Sequence, residues 1–138
     1  MKTCKKLPLV YSCSGCSSAA QMANALAVRF DREQIAEMSC IPGVGGDVPS
    51  LVHKATDPDR KIIAIDGCPL ACVENCLRRH NVVPNLHFIL TELGVKKAYH
   101  ADFDHERANR LYTTIKEGMD SLRKGETICQ LTKNLFTK

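Results

Sequence analysis

Hydrophobic and polar positions change period several times along this chain, and each change marks an element. Residues 7–12 form a short apolar run that predicts a strand, with Pro8 acceptable only near its start. Small residues fill 13–18, where Ser17 or Ser18 can cap a following helix. Residues 19–30 repeat at helical spacing, with Met22, Leu26 and Phe30 on one face, and their many alanines predict close packing on a sheet. The polar run Asp31-Arg32-Glu33 ends that helix. A weaker strand is predicted over 35–39, followed by a glycine-rich loop over 41–46. Asp47 then reads as the N-cap of a short helix with Pro49 in its first turn and Val48, Leu51, Val52 and Ala55 on one face. The unbroken apolar run at 61–65 suits a parallel strand covered on both faces. A helix over 70–80 and a strand over 86–91 come next. A long helix then starts at Asp102 or Asp104, turns Ala108, Leu111, Ile115, Met119 and Leu122 to the core, and stops at Gly125.

Strand and helix alternate four times, which predicts a parallel sheet with helices on both faces. Right-handed crossovers leave few topologies. The expected fold is a single-domain, three-layer α/β architecture of Rossmann-like or flavodoxin-like type. Its sheet is mainly parallel, with about four strands in the order 2-1-3-4. The core spans about 7–124 and residues 125–138 form a tail of undecided structure. In open sheets of this kind, ligands gather outside the carboxyl ends of the strands.

That position gives the cysteines their interest. Cys13 and Cys16 follow the first strand, Cys40 the second, and Cys68 the third, so a 2-1-3-4 order brings all of these loops to one edge. Cys68, Cys72 and Cys76 recur at spacing four and would share a helix face. Eight cysteines in 138 residues are too few for a small secreted disulfide scaffold. In a reducing cytoplasm, clustered cysteines serve as metal ligands or redox groups. Cys13 and Cys16, a Cys-x2-Cys pair, supply two sulfurs, and Cys68 and Cys72 supply two more, the full set for zinc or an iron–sulfur centre. Helix N-termini near both pairs favour thiolate. The bland alternative, small buried hydrophobes, suits one cysteine better than a group at strand ends. Cys40 and Cys76 are candidate additional ligands or redox partners, and Cys4 and Cys129 lie in apparent tails. Asp66 is read as a hydrogen-bond acceptor beside the site and His87 as structural.

Charge adds little. The formal charge is +4, and four thiolates around a divalent ion would bring it to about +2. The basic residues are scattered, so nucleic acid is not an expected partner. No apolar run is long enough for a membrane helix, and Leu9-Val10-Tyr11-Ser12-Cys13 lacks the preceding apolar stretch of a lipoprotein signal. The expected location is the cytoplasm. Enzyme templates fail on spacing. A Cys-x5-Arg phosphate cradle would need arginine where Ala19 stands, and Gly43-x-Gly45-Gly46 has neither the dinucleotide fingerprint nor a P-loop lysine. Cys-x3-Cys-x3-Cys is one residue longer than the cysteine motif of radical enzymes. Cys13-Ser14-Gly15-Cys16 before a helix does match a thioredoxin-type dithiol.

At Tyr11-Ser12-Cys13-Ser14-Gly15-Cys16-Ser17 and Ile65-Asp66-Gly67-Cys68-Pro69-Leu70-Ala71-Cys72 the chain resembles the DGC-domain proteins, from Leu7 to the Leu93-Gly94-Val95-Lys96-Lys97 segment. That family is regarded as zinc-binding on the strength of four cysteines and has no known function. The resemblance implies that Cys13, Cys16, Cys68 and Cys72 are the chelators, and it implies no reaction. Two readings follow. One is a cytoplasmic metal-binding protein, zinc foremost, in metal or metalloid handling or as an accessory factor, with a metal ion as its partner. The other is a thiol redox or sulfur-transfer protein in which Cys13 attacks and Cys16 or Cys40 resolves, with an iron–sulfur protein as a further alternative.

Overall fold

The β-branched run at the chain's centre is strand β3 (Ile62–Asp66), buried at every position because helices cover both of its faces. The structure, a computed structural model, describes residues 6–123. Around β3 lie β1 (Leu9–Ser12), β2 (Glu37–Met38) and β4 (Leu86–Ile89), all parallel, in the order β2-β1-β3-β4. Leu9 stands opposite Ile62 on one side, and Ala64 opposite His87 on the other. Helix α1 (Ser18–Arg32) packs on β1, β2 and β3, and α5 (His105–Arg123) lies beside it against β4. On the opposite face α4 (Cys72–Arg78) packs on β3, with α2 (Ile41–Gly45) against α4 and α3 (Pro49–Ala55) against α2. This is the expected three-layer, Rossmann/flavodoxin-like arrangement, with the expected strand order.

Local chemistry explains the best-matched elements. Ser17 caps α1, its hydroxyl accepting the Ala20 N–H at 3.1 Å. Asp104 does the same ahead of α5, accepting from Glu106 and Arg107. Ala108, Leu111, Ile115, Met119 and Leu122 are all buried. Alanines 19, 23 and 27 are fully buried, which lets α1 lie close on the sheet.

The departures are local. The expected loop at 41–46 contains α2, started by Pro42 in the first turn and held by buried Ile41 and Val44. Asp47 is not an N-cap. It takes a left-handed φ of 60° and its carboxylate meets Arg79 at 2.8 Å, while Val48 caps α3 by position alone. Of the face expected for α3 only Ala55 is buried. After β4 the chain turns into a 3-10 helix over Leu90–Leu93 rather than continuing as strand. Cys4, Cys129, the Gly125 stop and the tail lie outside the described residues. A cavity of about 370 Å³ lies at the amino-terminal edge of the sheet, at the end away from Cys13, Cys40 and Cys68, between Leu7, Ile63, Met119 and Leu122.

Candidate thiol site at the carboxyl edge of the sheet

Three strand ends deliver cysteines to one edge. Cys13 directly follows β1, Cys68 lies two residues after β3, and Cys40 lies two after β2 and caps α2. Cys13 is buried, Cys68 and Cys76 are half-buried, and Cys16, Cys40 and Cys72 are exposed. The Gly67 N–H donates to Cys13 Sγ at 3.1 Å, so the loop after β3 closes directly over the loop after β1. Burial pushes the Cys13 thiol up to about 11, the Gly67 N–H opposes that, and Asp66, Cys72 and Cys68 push it further up. Cys13, Cys68 and Cys72 therefore share one electrostatic neighbourhood.

This corrects two expectations. Cys13 is not a ready thiolate, because burial raises its pKa by more than the Gly67 N–H lowers it. Nor do Cys68, Cys72 and Cys76 share a helix face. Helix α4 begins only at Cys72, and Cys68 belongs to a turn over residues 67–71. Ala71, at φ 48° and ψ 50°, is left-handed and breaks the helical run between them, a conformation that costs a non-glycine residue about 1 kcal/mol. Cys76 points at α2, where its Sγ would be 2.8 Å from a Cβ on Gly45, and burial raises its pKa.

A carboxylate holds the turn. Asp66 is 1% exposed, and its Oδ1 accepts the Val73 N–H at 2.9 Å. His87 of β4 places Nε2 2.8 Å from Asp66 Oδ2 and Nδ1 2.9 Å from Glu74 Oε2. The Asp66 hydrogen bond raises the His87 pKa, burial opposes, and the charges of Asp66, Glu74 and Glu92 add to the rise. A folded value above the unfolded one means that this stabilisation is complete below the ordinary histidine pKa. It is lost as pH rises through the folded value. The stability difference between wild type and His87→Gln, measured by thermal unfolding across pH 5–9, should accordingly be largest at the acid end. A difference that grows with pH would refute this.

Two further groups close the site. The segment over residues 95–98 crosses the start of α1, Ser18 N–H donating to the Ala98 carbonyl at 2.8 Å and Ala98 N–H to the Ser18 hydroxyl at 2.9 Å. It brings Lys97 Nζ to 3.4 Å from Cys68 Sγ. Sequence reasoning missed Lys97 and Glu74, and no spacing rule would have found them, since both act across the fold.

The donor chemistry suits a thiophilic ion: sulfurs from two loops, one already receiving a backbone N–H of the kind that supports metal-bound thiolates. The hydroxyls of Ser12, just before Cys13, and of Thr91 are buried and have no hydrogen-bond partner among the described residues. As the side chains stand, no three Cys, His, Asp or Glu among the described residues gather closely enough to hold an ion. Tetrahedral ligation would require the exposed Cys16 and Cys72 to turn inward.

A parallel 2-1-3-4 sheet with paired cysteine loops at its carboxyl edge is the form taken here by the DGC domain, whose family model matches residues 9–115, and the chain belongs to that family. It is similar to the anaerobic and virulence modulator AnvM of Pseudomonas aeruginosa, 58% identical over 110 residues that span 80% of this chain and 83% of AnvM. No solved structure matches the chain. No helix among the described residues is long and apolar enough to cross a membrane.

Proposed function

We propose that this protein is a cytoplasmic, non-catalytic regulator that binds one thiophilic metal ion, zinc foremost, through Cys13, Cys16, Cys68 and Cys72. The observation that carries the reading is the meeting of the two cysteine loops, with the Gly67 N–H on Cys13 Sγ and Cys68 and Cys72 in the same neighbourhood. A bound divalent ion would supply the positive charge that draws Cys13 into its thiolate form despite burial. It would also cross-link the ends of β1 and β3. The regulatory role rests on the likeness to AnvM, which is described as a modulator. Metal-ion binding with neither nucleic acid nor membrane as a partner completes the proposal.

Protein purified without oxygen should carry about one metal per chain by elemental analysis, colourless for zinc and brown for an iron–sulfur centre. Metal-free protein that remains stably folded after such purification would overturn the proposal. One observation favours the thiol redox or sulfur-transfer reading, and it shifts the nucleophile. With its thiol at about 11, Cys13 holds little thiolate at neutral pH, whereas Cys68 has an ammonium at 3.4 Å. Fast alkylation of Cys68 in protein that carries no metal would move the balance to that reading.

A further inference from the structure

We infer that Asp66 is a positioning residue for the cysteine site, and that His87 holds it in place. This rests on the reading of the edge as a site for thiophilic ligands. The turn over 67–71, which carries Cys68 and leads into Cys72, is fastened at both ends. At its start Gly67 donates to Cys13 Sγ and its carbonyl accepts the Thr91 N–H at 3.2 Å. At its far end Ala71 N–H donates to the Cys68 carbonyl at 3.1 Å and the Asn75 amide donates to the Leu70 and Ala71 carbonyls at 3.0 Å, but Ala71, the N-cap of α4, makes no side-chain bond to the N–H groups of the helix. The free N–H groups of the helix turn to Asp66 instead: Val73 N–H to Oδ1 at 2.9 Å and Glu74 N–H to Oδ2 at 3.4 Å. One buried carboxylate at the end of β3 thus acts as a remote cap and sets how far Cys72 stands from Cys68.

His87 fixes the orientation of that carboxylate. Its ring bridges Asp66 and Glu74, at 2.8 Å and 2.9 Å, so the sheet, the carboxylate and the first turn of α4 form one closed loop of contacts. Glu74 is further tied to Arg78 on the same helix. An asparagine at 66 could still accept from Val73, but its amide group would turn a donor toward Glu74 N–H and His87. The consequence lies in the spacing of two sulfurs, which a purely architectural role would leave untouched in a variant that folds.

The test uses the full chain as wild type, Asp66→Asn, His87→Ala and His87→Gln, with folding followed by circular dichroism. One arm titrates Co²⁺ and reads the sulfur-to-cobalt absorption. The other adds a trivalent phenylarsenical with two hydroxide leaving groups, which bridges two close thiols with loss of two waters, and maps the bridged pair by peptide mass. Asp66→Asn and His87→Ala should lose about tenfold or more in Co²⁺ affinity, as second-layer substitutions do. They should also slow bridging of Cys68 to Cys72 about tenfold, while His87→Gln, which keeps a donor toward Asp66, stays near wild type. Folded Asp66→Asn and His87→Ala proteins with wild-type bridging would overturn the inference. So would a His87→Gln protein as impaired as His87→Ala. A wild type that takes no Co²⁺ would count against the metal reading alone, since the arsenical arm still decides the positioning role.

Discussion

Replacing Gly67 with alanine should destabilise the protein by about 3 kcal/mol, at the upper end of what overpacking usually costs. The reason is space. A Cβ on residue 67 would lie 2.7 Å from the Ala19 carbonyl carbon and 2.8 Å from both Ala19 O and Ala20 N. All three are backbone atoms in the first turn of α1, so no side chain can swing aside. Either α1 lifts from the sheet, losing part of the burial of Ala19 and Ala23, or the end of β3 shifts and Gly67 N–H withdraws from Cys13 Sγ. Thermal unfolding should show a midpoint lower by about 10 °C for a chain of this size. Cys13 should also become open to alkylation in the folded protein. A midpoint within 2 °C of wild type, a margin of about half a kcal/mol, would contradict the close approach.

The second large effect concerns the proposed metal. Cys13→Ser and Cys68→Ser should each abolish stoichiometric metal binding, because a serine hydroxyl stays protonated at neutral pH and offers zinc no thiolate. Cys13 is the buried anchor of one loop and Cys68 the half-buried anchor of the other, so neither loss can be made good by its exposed neighbour. Cys76→Ala should leave metal content unchanged, since its sulfur lies against Gly45 of α2. Metal analysis of the three purified variants is the measurement. Full occupancy in either serine variant would remove that residue from the ligand set, and loss in Cys76→Ala would extend the set down α4.

What was legible beforehand depended on how far apart the determining residues lie. The strands themselves followed from period changes and from the run at 62–65, because a buried parallel strand needs nothing beyond its own apolar side chains, and their order followed from the few topologies that right-handed crossovers allow. The buried face of α5 was visible for the same reason. Helix α2 was hidden by its glycines, since the burial of Ile41 and Val44 that holds it is a tertiary effect. The start of α4 was misplaced because its cap is Asp66, seven residues before Val73 and on another element. The edge that gathers Cys13, Cys40 and Cys68 was foreseen from topology. Its inner arrangement depends on His87, Glu74 and Lys97, whose partners lie up to 29 residues away.

The strap that carries Lys97 has a consequence for the chain as it is made. Ser18 and Ala98, joined by two hydrogen bonds, are 80 residues apart. At a synthesis rate of about 5–20 residues per second, Cys13 and Cys16 leave the ribosome roughly 4–16 seconds before the segment that crosses the start of α1. The parallel sheet cannot shelter them sooner, because β1 finds its main neighbour only when β3 has emerged. A newborn chain therefore presents its first two thiols to the surrounding solution before either the sheet or the strap exists.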